Sequence, residues 1–258
     1  MDCTPAEIVL RLEALLPSES VSGDYVRLRI EVLRAQAAAL DAPHAGRLFE
    51  AIVAACRRYG EAGEELARLE SAVQSRPEVL DDLKRAVALA PDEESLASLA
   101  GRLQVSAPLL VFFGRLLAAP FLANAARQRV EDESPLPESD GSCPLCGSTP
   151  GLASLDADDG RRLLHCSLCG WSWPFARLAC PFCGNRDQSA LTRLAVDRDD
   201  SRWIESCERC RGYLKTVDLR RAEPEPFSPL VEEVATLYLD LVAEREGYAG
   251  KPPYAAIR

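Results

Sequence analysis

Apolar residues recur at helical spacing through the first half of the chain, and the pattern predicts a succession of amphipathic helices. Thr4-Pro5-Ala6-Glu7 combines an N-cap, proline at the first helical position and a capping-box glutamate, so a helix is expected from there to about Leu16. After a loop over 17–23, Val26, Ile30, Leu33, Ala37 and Leu40 form one stripe that predicts a helix ending before Pro43. Leu48, Ile52, Ala55 and Tyr59 predict another over 45–59. Gly63 to Val73 predicts a further one, with Gly60 and Gly63 either breaking or kinking the join. Pro77 and Pro91 each sit where a helix can open, the first running towards Leu89 and the second towards Leu103.

The stretch 107–126 is the most apolar of all. Its length approaches the roughly 20 residues of a membrane span, but Arg115 lies at its centre and Gly114 and Pro120 interrupt it. The expectation is a buried central helix in an α-helical domain, kinked near Pro120, where the ring removes a backbone hydrogen bond. Helical periodicity then stops. Residues 131–142 (EDESPLPESDGS) carry two prolines and a run of acids, and read as an exposed linker.

Beyond it the pattern shortens to strand-like segments separated by acidic turns. Segments 151–155 and 162–165 flank Asp156, Asp158 and Asp159, while 190–196 and 202–206 flank Asp197, Asp199 and Asp200. Aromatic strands follow at Trp171-Ser172-Trp173 and Tyr213-Leu214-Lys215, and Pro229 opens a last helix with Leu230, Val234, Leu237 and Leu241 on one face. The expected domains are 1–130 (α-helical), 131–142 (linker), 143–179 and 180–222 (two β modules) and 223–258 (C-terminal helix and tail).

Cysteine spacing gives the strand-rich region its chemistry. Eight of the ten cysteines fall into four CxxC pairs: Cys143/Cys146, Cys166/Cys169, Cys180/Cys183 and Cys207/Cys210. Two intervening residues let a tight turn aim both thiolates at one point, and two such turns complete a tetrahedral sulfur cage. Each half opens with CPxCG, at Cys143 and again at Cys180, and closes on its second pair, so the region is an internal repeat. That repeat predicts two tandem rubredoxin-like or zinc-ribbon modules, each too small to bury its own core and held together by a metal. Spacing alone also admits an interleaved pairing, first with third and second with fourth. Four thiolates accept iron and zinc alike.

At 258 residues with 47% hydrophobic content the chain can build a substantial core. The start of the sequence shows no basic-then-apolar export signal, and paired CxxC spacing without one favours metal in a reducing, cytoplasmic compartment over disulfides. The net charge of −10 is unevenly spread: 15 Lys/Arg face 23 Asp/Glu in residues 1–140, against 12 and 10 in residues 141–222. Eight thiolates around two divalent ions would turn that mild surplus of cations into a deficit, which argues against a nucleic-acid-binding ribbon. Redox CxxC motifs sit at helix N-termini, and none of these four does. Nothing in the chain marks a nucleophile motif, a phosphate loop or an HExxH site, so neither an enzyme nor a small-molecule substrate is expected. His165 precedes Cys166 and is expected to pack or hydrogen-bond near the turn, Trp171 and Trp173 to form core, and Cys56 to be a small core residue.

Together CPLCGSTP at 143–150, LLHCSLCGWSW at 163–173, CPFCGN at 180–185 and ESCERCRGYLK at 205–215 resemble the formate dehydrogenase accessory proteins of the FdhE type. GDYVRLRIEVLRAQ at 23–36 and EREGYA at 244–249 extend the similarity, although longer members carry more residues ahead of Gly23. The resemblance implies a cytoplasmic maturation factor that acts on the catalytic subunit of formate dehydrogenase without oxidising formate. It also implies metal at Cys143, Cys146, Cys166, Cys169, Cys180, Cys183, Cys207 and Cys210, with iron favoured and zinc possible. A freestanding rubredoxin-like electron carrier and a nucleic-acid-binding zinc ribbon stay open as alternatives.

Overall fold

A computed structural model describes residues 4–17, 22–41, 45–60, 63–88, 93–130, 139–196, 199–222 and 226–250. Residues 131–138 of the expected linker (131–142) and the tail (251–258), as well as Cys3, lie outside these residues. The chain divides near residue 131 into a helical unit and a sheet unit.

In the helical unit seven helices are described: α1 (Pro5–Ala14), α2 (Gly23–Asp41), α3 (Ala45–Tyr59), α4 (Glu64–Ser75), α5 (Val79–Ala88), α6 (Glu93–Leu103) and α7 (Ala107–Val130). The expected stripes point inward, with Val26, Ile30, Leu48 and Ile52 buried. Helix α7 is long and apolar enough to cross a membrane by composition alone. Here it packs against α2, α3, α5 and α6, with Leu110, Phe113 and Leu117 fully buried and Phe113 against Phe49. It runs through Pro120 as a single helix and ends four residues later than the apolar run suggested. Pro77 does not open α5. It lies in a turn, with Leu80 donating to its carbonyl, and the helix starts at Val79. Tyr59 ends α3, and Gly60 breaks the join to α4.

The sheet unit holds β1 (Pro150–Leu155), β2 (Arg162–Cys166), β3 (Ser172–Pro174), β4 (Leu191–Ala195), β5 (Arg202–Cys207), β6 (Gly212–Asp218) and β7 (Ala249–Gly250). The first cysteine repeat supplies the meander β1–β3 and the second supplies β4–β6. These two meanders share one sheet, because β1 pairs in parallel with β6 at Leu152–Leu155 and Lys215–Asp218. The order is β3-β2-β1-β6-β5-β4, with β7 beside the start of β6. Each module thus gains a partner edge that it lacks alone.

The C-terminal helical stretch breaks into α8 (Pro229–Ala235) and α9 (Leu237–Arg245). At the break, the Thr236 hydroxyl bonds the Glu232 carbonyl at 2.6 Å and its backbone leaves the helical region. The phase shifts accordingly. Val231, Val234, Leu239 and Ala243 are buried, whereas Leu241, expected on the apolar face, is 57% exposed. Helix α8 lies on β1 and α9 on β5 and β6, with Ile204 at the centre of a cluster formed with Leu239, Ala243 and Tyr248.

Candidate metal centres

Each CxxC pair forms the same turn. The amide four residues after the first cysteine donates back to its carbonyl, from Gly147 to Cys143, Gly170 to Cys166, Gly184 to Cys180 and Arg211 to Cys207, at 2.8 to 3.1 Å. That closing residue is left-handed, with φ between +54° and +74°, a region glycine enters without steric cost. Arg211 is the exception, and the C-terminal segment holds it there. Its guanidinium lies 4.1 Å over the Tyr248 ring and donates to the carbonyls of Glu246 and Gly247, while its own carbonyl accepts from Ala249. The EREGYA stretch thereby clasps the fourth turn.

The structure gathers the eight cysteines into two clusters, Cys143/Cys146/Cys166/Cys169 and Cys180/Cys183/Cys207/Cys210, with all sulfurs of a set within 4.8 Å of one another. This is the tandem grouping, not the interleaved one. Cys143 Sγ lies 3.6 Å from Cys169 Sγ, and Cys146 Sγ 3.5 Å from Cys166 Sγ. The second cluster gives 3.7 Å for Cys180 to Cys210 and 3.8 Å for Cys183 to Cys207. A tetrahedral thiolate site with metal–sulfur bonds of about 2.3 Å has sulfur–sulfur edges of about 3.8 Å. The donor sets therefore fit one zinc- or iron-sized ion each, and their geometry does not distinguish the two metals. Backbone amides of Leu168 and Cys169 point at Cys166 Sγ at 3.4 and 3.5 Å, supplying partial positive charge to a thiolate. Burial pushes the Cys180 thiol up, and the amides of Phe182 and Cys183 oppose that shift. A divalent cation would remove the conflict by providing the missing countercharge.

The clusters differ in exposure. All four cysteines of the first are buried, whereas Cys183 and Cys210 of the second reach the surface.

His165 is no ligand in this arrangement. Its Nε2 lies 2.8 Å from Ser154 Oγ and its Nδ1 2.7 Å from Ser172 Oγ, the ring rests against Phe227, and burial lowers its pKa to about 4. Trp173 is buried as core, and Trp171 is half-buried. Cys56 is half-buried on α3 and stands apart from both clusters.

Buried charges hold the sheet unit together, and the cysteine pattern gave no sign of them. Arg162 of β2 is 2% exposed, and its guanidinium donates to the carbonyls of Ala176 and Ala179 and meets Glu205 of β5 at 2.6 Å. One module is thereby pinned to the other. Glu232 of α8 takes a two-pronged contact from Arg202, at 2.8 and 3.2 Å. Lys215 reaches Asp240 and the Glu233 carbonyl, both at 2.8 Å, which fixes α8 and α9 to β6. A charged residue at an inward strand position was the available signal, but its partners lie 14 to 43 residues away in sequence.

Comparison with known proteins places this architecture. Residues 142–177 match the family described as FdhE, central domain, and residues 178–254 match FdhE, C-terminal domain. Protein FdhE homolog of Aquifex aeolicus is 35% identical over 112 residues, which is 41% of this chain and 38% of that protein. The Haemophilus influenzae homolog is 29% identical over 150 residues, covering 56% and 48% respectively. These matches span less than half the length of either relative. The crystal structure of the FdhE protein from Pseudomonas aeruginosa shares the fold, with a TM-score of 0.60 over 99% of this chain and 96% of that one, at 23% identity.

Proposed function

We propose that this chain, whose residues 142–177 and 178–254 match the FdhE central and C-terminal domain families, is a cytoplasmic accessory factor needed for active formate dehydrogenase, and that it binds the catalytic subunit of that enzyme. The observation that carries this reading is the coincidence of both matched family domains with both four-sulfur clusters in one continuous sheet. Cys143, Cys146, Cys166 and Cys169 would hold one ion, and Cys180, Cys183, Cys207 and Cys210 a second. Each ion would cross-link two turns of its module. A cage closed by four protein sulfurs leaves no position for a substrate, unlike a catalytic site with three protein ligands and a water. The role is therefore that of a scaffold, not an enzyme, and the working division is a helical domain over 1–130 joined by 131–142 to the metal modules. Iron follows from the family resemblance, and zinc satisfies the same donors.

The test is complementation. A bacterium lacking its own accessory factor should regain formate-dependent dye reduction when this chain is expressed, and the purified chain should capture the catalytic subunit. A host that regains no activity, together with a chain that captures no subunit, would overturn the reading.

A second reading, electron transfer, rests on Cys183 and Cys210 reaching the surface. It requires a reversible iron couple that serves acceptors other than formate dehydrogenase, and voltammetry of the iron-loaded protein would reveal it.

A further inference from the structure

On the sheet face opposite α8 and α9, the chain leaving β3 crosses back towards the third cysteine pair and encloses a cleft of about 220 Å³ against β4 and β5. Leu155, Leu178, Pro181, Phe182, Leu191 and Trp203 give it an apolar lining, and Arg162 and Glu205 also line it. An apolar cavity of about 150 Å³ accommodates benzene, so this one has room for a single large apolar side chain. Leu178 stands at the mouth with 55% of its surface open to solvent, one of few large apolar side chains so exposed among the described residues.

Cys180 and Cys207 of the second cluster also line the cleft, and its exposed charge is carried by arginines. Arg162 is matched by Glu205. Arg177 donates to the Gly160 carbonyl at 3.0 Å, and Arg193 lies 3.8 Å over the Trp203 ring and donates to the Asp200 carbonyl. Neither Arg177 nor Arg193 meets a carboxylate among the described residues. Two cations thus flank an apolar hole. A phosphate backbone would suit the cations but not the interior. Of its two aromatics, Trp203 is 4% exposed and capped by Arg193 and Phe182 is half-buried, so successive bases find no stacking platform.

We propose that this cleft is the docking site for an extended peptide segment of the client, which inserts one large apolar side chain beside Leu178 and presents flanking carboxylates to Arg177 and Arg193. The identity of the client rests on the accessory reading, but the chemistry of the segment does not. Such a contact follows the usual anatomy of an apolar anchor with a charged rim.

The experiment measures binding of the full chain to the formate dehydrogenase catalytic subunit and to an immobilised library of random peptides, comparing wild type with Leu178→Asp and Arg193→Glu. Both changes lie at exposed side chains, and an unchanged melting curve verifies that each variant is folded. Leu178→Asp should weaken both interactions by about tenfold to a hundredfold, as expected for losing burial of one leucine-sized contact. Selected peptides should pair a large apolar residue with nearby Asp or Glu, and Arg193→Glu should reverse that preference. Subunit binding that survives both substitutions would overturn the docking site while leaving the accessory role intact. Failure of the wild type to bind the subunit, with acidic-apolar peptides still captured through Leu178, would refute the client and keep the cleft. Capture of single-stranded oligonucleotide instead of peptides, lost in Arg193→Glu, would overturn the choice of ligand.

Discussion

Replacing Arg162 by alanine should destabilise the sheet unit far more than an ordinary surface change. Its side chain is 1% exposed and contacts Glu205 at 2.6 Å, while two further donations hold the crossover at Ala176 and Ala179. Removing one member of a buried ion pair costs about 3–5 kcal/mol, because the partner is left charged without compensation. Glu205 keeps 28% exposure and can recruit water, so the cost should fall near the lower end, about 3 kcal/mol. With a urea dependence of about 1.5 kcal/mol per molar, the midpoint should drop by about 2 M. All three tryptophans, at 171, 173 and 203, lie in the sheet unit, so their fluorescence reports its unfolding without interference from the helices. The assay is a urea titration of the full chain in excess zinc. Replacing both partners, Arg162→Met with Glu205→Leu, should recover at least half of the loss, since an apolar pair leaves no orphaned charge. A single-variant cost below about 1 kcal/mol, or a double variant no better than the single one, would refute the argument that this pair staples the modules.

Other consequences can be checked separately. Cys143→Ser with Cys146→Ser should release one metal and red-shift the emission of Trp171 and Trp173, since structural metal binding contributes about 10–16 kcal/mol to folding such modules. The far-ultraviolet helical signal of residues 5–130 should persist, and a first module that stays folded would speak against a structural role for its metal. Gly170→Ala should cost about 1–2 kcal/mol from backbone strain alone, as φ is +74° and an added Cβ would meet nothing within 4 Å; an unchanged midpoint would refute this. In the helical unit, Glu65 accepts from the hydroxyl and amide of Ser106 at 2.7 and 3.1 Å, and these bonds hold its carboxyl below the ordinary glutamate range. The stabilisation from this depressed group is fully present above the ordinary value and is lost as pH falls through the lowered one. Glu65→Gln should therefore lower the helical melting temperature at pH 7, with the gap closing in acid; a gap independent of pH would contradict the assignment.

The helices and the metal turns were legible because their signals are local. Stripes such as Leu48, Ile52 and Ala55, and the two-residue spacing within each cysteine pair, act over one or two turns of chain. The repeat of CPxCG also pointed to the tandem grouping of sulfurs that the structure displays. What stayed hidden was long-range. The parallel pairing of β1 with β6 joins residues more than 60 positions apart, and no alternation in either strand announces it. Leu241 was placed inward by extending one helical phase across Thr236, whose hydroxyl bond to the Glu232 carbonyl accompanies the break. Arg162, Arg202 and Lys215 appear in sequence as ordinary strand cations, and only the folded arrangement shows that each answers a distant carboxylate.

Whether each cluster is a closed four-thiolate site is tested most directly by X-ray absorption at the metal edge with elemental analysis of the purified full chain. Two metal ions per chain are expected, one for each cluster, with four sulfur neighbours at about 2.3 Å and no nitrogen or oxygen in the inner shell. Cys180→Ser with Cys183→Ser should halve the metal content. A single ion per chain, a mixed sulfur and nitrogen shell that brings in His165, or a metal-free protein with the cysteines joined as disulfides would contradict two closed four-thiolate sites.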